Sequence, residues 1–470
     1  EAEAAAVQQQ LLAEVVRFVA EICRPQSSTL ALQVFIACDG LKVLSSFLEK
    51  EVLFRPVAPD GAQRDGVPRT ASPSLTHLVI DSIWSIFNRE SRAKFLLPNL
   101  DICRLFVKAG VLAPLAKLLR RWIRAGDEAY QERLVNLFVQ FARGDEVVRE
   151  AMAAPAVLEG IMYGLAELNH VPRCLLKLLH CVARMTMCAA ALEALEQAQA
   201  VPQLATFTNP QLESIYVFSE ADAAKIRRAA LLSLYYLCGG KAIRQQQFQR
   251  RQEVAASSGL IKHLQHYIHT HSDMEHLALH MFCALPYAGQ RVRTRLWQEQ
   301  AHLFYIALLE HREQYWRLQA LEALALWLAD GQASAPKRSE LERVMLQPKH
   351  VAKLVPLFRT APDEAMVAML PPYMQLLKSS KLLARACSPL APDVLARLGN
   401  DQVFGVNTTI DLLRVLHMLL NELRTPATFI EEHSLDGALW SLFKRKQWDQ
   451  KPIVGNVATE VLDTIEKYRG

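Results

Sequence analysis

No run of about 18 apolar residues, the length a membrane-crossing helix needs, occurs in this chain. No segment alternates apolar and polar residues between turn signals, as half-buried strands do, so sheet-based folds are not expected. The nine cysteines include no C-x-x-C pair. An odd, scattered set in a helical chain reads as reduced, buried thiols, hence cytosol or nucleus. Kinase chemistry lacks its parts: G-x-G-x-x-G, H-R-D-x-x-x-x-N and D-F-G are all missing. Gly239-Gly240-Lys241 follows a helix and lacks the spacing of a phosphate loop. A net charge of +5 on 470 residues is weak support for a nucleic-acid partner.

The chain is 51% hydrophobic and 21% charged, which places it among folded proteins. It is too long for one compact core, so it must divide or repeat. It starts at Glu1, consistent with a piece of something longer. Residues 1–10 are rich in Ala and Gln and carry charge, unlike a signal peptide.

Repetition is visible from Cys103 to Leu119. A short apolar helix ends at Ala109-Gly110, and a second follows with an apolar stripe at Leu112, Leu115, Leu118 and Leu119. Gly110 permits a sharp bend, and Pro114 falls in a first turn, where its missing N–H costs little. Cys38-Asp39-Gly40-Leu41 begins a similar unit. Unit starts at Gly259, His302, His350, Asp393 and Leu435 lie ~42–48 residues apart, the period of armadillo and HEAT arrays. Long helices are expected at 75–88, 131–143, 172–187, 221–238, 274–285, 315–329, 365–378, 410–423 and 454–468. The fold expected is an all-α, armadillo/HEAT-like, right-handed helical solenoid of about nine repeats. A capping helix would occupy 1–29, and the repeats 30–470, with a flexible insertion at 55–74.

Ile80-Asp81-Ser82-Ile83-Trp84-Ser85-Ile86-Phe87, then Asp101 to Phe106 and Gly110-Val111-Leu112, with Phe35 to Gly40 before them, resemble one family's armadillo region. The family is the septation-initiation and mitotic-exit protein kinases of fungi, with the MAP kinase kinase kinase epsilon proteins of plants. The quoted residues span 30–119. The resemblance implies a non-catalytic module that regulates or localises a Ser/Thr kinase lying outside these residues. It implies partners such as a Ras-like GTPase or a spindle-pole or septum scaffold, self-association, and a cytoplasmic, spindle-pole-body or division-site location.

Several residue groups invite chemistry. His263, His266, His269, His271, His276 and His280 crowd into 18 residues. His276 and His280 share a helix face, yet no H-E-x-x-H pattern or Cys at ligand spacing joins them. A pH-dependent surface is preferred to a metal site, and no cofactor is expected. Cys174, Cys181 and Cys188 recur every seven residues, too far apart for disulfides within a helix and best read as buried. Trp84 with Asn88 matches one rung of the Trp–Asn ladder of nuclear-import adaptors, but the ladder does not continue. Trp84 is therefore expected in the core. Basic clusters at 120–124, 227–228, 250–251, 291–295 and 444–446 leave an acidic partner or nucleic acid open. Thr70 and Ser72-Pro73 are candidate phosphorylation sites.

The preferred reading is a protein-interaction module. The alternatives are a free-standing armadillo adaptor, a nucleic-acid-binding solenoid or a histidine-based enzyme site. In armadillo arrays the long third helices line the binding face. Candidate contacts there are Asn88, Arg89, Asn136, Gln140, Arg184, Arg227 and Arg228, facing an acidic or phosphorylated segment.

Overall fold

The computed structural model describes residues 2–50, 75–92, 99–125, 128–240, 244–270, 272–330, 335–400 and 404–469. The insertion expected at 55–74, with Thr70 and Ser72, lies outside them. Among the described residues every regular element is a helix. The chain divides into two compact units, Glu1–Lys241 and Ala242–Gly470.

Unit 1 opens with α1 (Ala2–Cys23). Four three-helix repeats follow: α2 (Thr29–Ala37), α3 (Gly40–Glu49) and α4 (Leu75–Arg92); α5 (Asn99–Lys108), α6 (Leu112–Ala125) and α7 (Glu128–Ala142); α8 (Glu146–Met152), α9 (Pro155–Glu167) and α10 (Pro172–Met185); then α11 (Ala189–Gln197), α12 (Ala200–Thr206), a short extra helix α13 (Leu212–Tyr216) and α14 (Glu220–Leu237). The long helices pack in succession, α1 on α4, α4 on α7, α7 on α10 and α10 on α14. The middle helices α3, α6, α9 and α12 form a second layer, and α5, α8 and α11 a third.

Unit 2 holds five repeats of the same kind. They are α15 (Gln249–Ser257), α16 (Leu260–His269) and α17 (Glu275–Ala284); α18 (Gln290–Gln298), α19 (Ala301–Leu308) and α20 (Gln314–Ala329); α21 (Ala335–Met345), α22 (Pro348–Thr360) and α23 (Asp363–Ser379); α24 (Lys381–Ala386), α25 (Ala391–Leu398) and α26 (Val406–Asn421); α27 (Pro426–Glu432), α28 (Leu435–Arg445) and α29 (Pro452–Arg469). The long helices α17, α20, α23, α26 and α29 again pack each on the next. The expected solenoid of repeats is therefore present in each unit. Each repeat has a short leading helix; the one that ends before Gly110 is α5, and the leading helices α8, α24 and α27 are additions to what the sequence shows.

The corner between first and second helix is built in two ways. Asp39, Gly110, Gln199, Gly259, Gln300 and Ser434 take a positive φ of 48° to 87°. Before α9, α22 and α25 the bend instead meets a proline at the helix start, Pro155, Pro348 and Pro392, where no N–H is wanted. The two devices give the same angle: 74° between α2 and α3, and 74° between α8 and the segment Pro155–His170.

Burial follows the helical period. Leu112, Leu115, Leu118 and Leu119 of α6 are all buried, as an amphipathic helix between two layers requires. Phe87, Phe106 and Phe141 knit α4, α5 and α7 together, with ring centroids 5.2, 5.3 and 6.3 Å apart. Gly160 lets α9 touch α6: a Cβ there would lie 2.7 Å from the Ala116 Cβ and 2.9 Å from its carbonyl oxygen. Side chains also cap the neighbouring repeat. Arg397 donates to the carbonyls of Phe358 (3.0 Å) and Ala361 (2.7 Å), and Arg445 to that of Gly399 (2.9 Å). These carbonyls end helices and lack helical partners.

Two expectations are corrected. Trp84 is half-buried; the buried stripe of α4 is Val79, Ile80, Ile83, Ile86 and Phe87. Cys188 is buried with Cys174 and Cys181, but it precedes α11 while the other two lie on α10.

Candidate protein-interaction face

The long-helix layer of unit 1 carries most of the residues proposed as contacts. Two interactions fix how α7 and α10 lie side by side. Lys177 Nζ donates to Glu132 Oε1 at 2.6 Å, and the Cys181 thiol approaches the Phe138 carbonyl at 3.7 Å, offsets of 45 and 43 residues. Asn136 is thus level with His180, and Gln140 with Arg184. Between α10 and α14 the offset is 54, set by the Ser233 hydroxyl on the Leu179 carbonyl at 3.3 Å. That places Arg227 and Arg228 level with Arg173 and Cys174, about 15 Å along the helix from Arg184.

The structure therefore brings Asn136, Gln140 and Arg184 to one region, with Asn88 at the neighbouring end of α4, and puts Arg227 and Arg228 elsewhere. Asn88, Arg184 and Arg228 are exposed, while Asn136 and Gln140 are half-buried. Arg89 lies within α4; its side chain is outside the described set. Arg227 is spent inside the fold: it donates to Glu213 Oε2 at 2.5 Å and to the Pro210 carbonyl at 2.8 Å, with 12% of its side chain exposed.

A feature not singled out from the sequence lies between these positions. Helix α10 contains no acidic residue. Arg173, Lys177, His180 and Arg184, spaced i, i+4, i+7 and i+11, form one stripe ~16 Å long. Glu132 neutralises Lys177, and that contact holds its carboxyl below the usual range. Arg143, Arg173 and Arg184 form no ion pair among the described residues. Burial, followed by the charges of Arg184 and Arg143, pushes the His180 imidazole down from its ordinary value. Both guanidinium groups therefore act on that ring. The exposed Lys225 and Arg228 extend the positive charge onto α14.

The other basic clusters are divided: Arg121, Arg124, Arg250, Arg291, Arg295, Lys444 and Arg445 are exposed, while the rest are used inside the fold. Arg120 pairs with Glu159 at 2.8 Å, Arg293 with Asp330 at 2.6 Å, and Arg251 is buried. Lys446 donates to the Leu398 carbonyl. Arg120 and Lys446 thereby join neighbouring repeats, and Arg293 ties α18 to the end of α20 within one repeat.

The clustered histidines separate. His276 and His280 lie on α17 and meet the buried Trp316 edge-on, at 5.4 and 4.8 Å. His263 lies on α16, where burial, then the neighbouring His266, lowers it to about 4. His271 is outside the described residues. Among the described residues, Glu146, Glu150 and Cys188 bring ligand atoms within 4.8 Å of one another, and none of the described histidines of the cluster joins them. The thiols of Cys174, Cys181 and Cys283 are pushed up to about 11, 12 and 12 by burial, which keeps them protonated and unreactive.

No family model matches the chain. Over 447 residues, 94% of its length, it is 25% identical to cytokinesis protein sepH of Emericella nidulans. It is 26% identical over 344 residues, 72% of its length, to MAP3K epsilon protein kinase 1 of Arabidopsis thaliana. Over 382 residues, 81% of its length, it is 23% identical to cell division control protein 7 of Schizosaccharomyces pombe. The similarity thus extends well beyond residues 30–119. The chain spans 30%, 23% and 31% of the lengths of these three relatives. A solved chain from work on the interaction between cadherin and beta-catenin aligns over 96% of this chain and 91% of its own, at 14% identity and a TM-score of 0.45. That is too loose a likeness to carry the fold, which rests on the helices themselves.

Proposed function

We propose that this chain is a non-catalytic protein-interaction module, and that the long-helix layer of unit 1 receives an acidic or phosphorylated segment of a partner protein. The observation that carries the reading is the acid-free stripe of α10, whose Arg173 and Arg184, with Arg143 beside them, form no ion pair among the described residues. A guanidinium presents a planar fork that matches carboxylate and phosphate. Asn88, Asn136, Gln140 and Arg228 are the polar neighbours that would complete the contact.

The similarity to kinase-related and cytokinesis proteins extends the reading. The module would regulate or localise a Ser/Thr kinase of septation signalling at the division site or spindle pole body. Its partner would be a Ras-like GTPase or a septum scaffold.

The direct test is fluorescence anisotropy with a Glu-rich peptide, a phosphoserine peptide and a Lys-rich control. The two anionic peptides should bind in a salt-dependent way. The triple variant Arg143→Glu, Arg173→Glu, Arg184→Glu should lose at least ~tenfold in affinity, which is ~1.4 kcal/mol. Its melting temperature should stay unchanged, since no internal ion pair is broken. Undiminished binding by the triple variant would reject the site.

A further inference from the structure

The leading helices α8 and α11 of successive repeats pack on each other in unit 1. On α8, Glu146 and Glu150 stand four residues apart, so both carboxylates project from one face. Like charges at that spacing repel, and neither carboxylate forms an ion pair among the described residues. Arg149, between them in sequence, donates instead to the Gly144 carbonyl at 2.6 Å, and Arg104 pairs with Asp145. The third group is a thiol. Cys188 is 0% exposed, and its sulfur has no hydrogen-bond partner among the described residues. It faces the two carboxylates: one ligand atom from each of the three residues lies within 4.8 Å of the others. Cys188 is also the N-cap of α11, where Ser, Thr, Asp or Asn would accept from an N–H of the first turn. Its side chain makes no such bond. The unsatisfied amides of a helix start favour thiolate over thiol, and thiolate is the form that binds metal.

We propose that Glu146, Glu150 and Cys188 form a zinc site that ties α8 to α11. The inference is independent of the acidic-segment reading, which concerns the long-helix layer. Three features select the ion. The first is the donor set. Calcium and magnesium take oxygen ligands throughout, and Cu(I) favours sulfur throughout. Zinc accepts thiolate and carboxylate together in a tetrahedral shell. The second is size. Zn–S near ~2.3 Å and Zn–O near ~2.1 Å put ligand atoms ~3.5 Å apart. A contraction of about 1 Å closes the site, and the exposed glutamates can supply it by rotamer change while the buried sulfur stays in place. The third is charge. Two carboxylates that repel each other and a thiolate surround a doubly charged cation, which relieves the repulsion that the free site carries. The fourth position lies on the solvent side of the exposed glutamates and is left to water.

Titration of the reduced, chelator-treated 470-residue chain with cobalt(II) tests this. Cobalt occupies zinc's ligands and reports a bound thiolate by a charge-transfer band in the near ultraviolet. A single equivalent should raise the band at micromolar concentration, and zinc should bleach it. Zinc should also raise the melting temperature, since it binds the folded state. Cys188→Ser should abolish the band, whereas Cys38→Ser, at the exposed cysteine, should keep it. Because Cys188 is buried, a second variant guards against simple misfolding. Glu146→Gln with Glu150→Gln, at exposed positions, should leave the metal-free melt no lower and weaken cobalt binding at least ~tenfold, the least that loss of an outer-shell partner costs. A wild-type chain with no band, or with a band only at millimolar cobalt, overturns the proposal. So does a band that survives Cys188→Ser, or a double carboxamide variant that binds as tightly as the wild type. Cobalt bound without a thiolate band also overturns it and places the metal elsewhere, as on His276 and His280.

Discussion

A left-handed backbone conformation costs a residue with a Cβ about 1–2 kcal/mol, and four corners accept that cost at Asp39, Gln199, Gln300 and Ser434. Gly259 does the same work at φ 87° with nothing within 4 Å of where its Cβ would be. Gly259→Ala should therefore destabilise by about 1–2 kcal/mol through backbone conformation alone. The reciprocal change, Gln300→Gly, should cost nothing or stabilise by up to ~1 kcal/mol. Chemical denaturation of both variants checks the pair. The glycine corners were legible in the sequence because glycine announces a permitted bend. The Gln and Ser corners were not, since neither residue type marks a left-handed position. His263 gives a prediction of another kind. In the unfolded chain it titrates near ~6.5, and in the fold near about 4. Above pH ~6.5 it is neutral in both states and contributes no pH dependence. As pH falls, the unfolded state takes up the proton first, so stability drops until about pH 4. A His263→Gln variant should show a shallower loss of melting temperature over that window.

At the scale of elements, volume removed matters less than how completely a side chain is enclosed. Phe141 is fully buried against Phe87 and Phe106, so Phe141→Ala should cost about 3–5 kcal/mol. Trp84→Ala removes more atoms from a half-buried site and should cost clearly less, which parallel urea melts would show. The long helices were legible because an apolar stripe over fourteen or more residues has only one period that fits. The leading helix α5 was legible by its ten residues and the glycine that ends it, whereas α8, α24 and α27 were hidden, with only seven, six and seven residues, too few to reveal any period. The basic stripe of α10 was missed for a geometric reason. Sequence reading notices adjacent charges such as Arg227-Arg228, but neighbours on a helix point ~100° apart. Arg227 accordingly turns to Glu213 while Arg228 faces out. Arg173, Lys177, His180 and Arg184 share a face because they are three or four residues apart, and no short window contains them all.

Across the whole molecule, stability should be distributed and not held in common, because each repeat is joined mainly to its neighbours. Within unit 1 the link from repeat to repeat is local: the Phe87–Phe106–Phe141 cluster joins α4, α5 and α7, while Lys177–Glu132 joins α7 to α10. Within unit 2 the link is made by equally local caps such as Arg397 on Phe358 and Arg445 on Gly399. A defect in one repeat then has few routes outward, unlike a defect in a single shared core. Unfolding should depart from two-state behaviour, with a denaturant slope smaller than 470 residues would give as one cooperative block. Hydrogen exchange on Phe141→Ala resolves the point by position. Amides of α4, α5, α7 and α10 should exchange faster by a factor set by the lost ~3–5 kcal/mol, roughly a hundredfold or more, because their opening reports the local free energy. Amides of α20, α23, α26 and α29 should keep their wild-type rates. Faster exchange across both units by the same factor would mean that the chain opens as one block, contrary to the nearest-neighbour logic of its repeats.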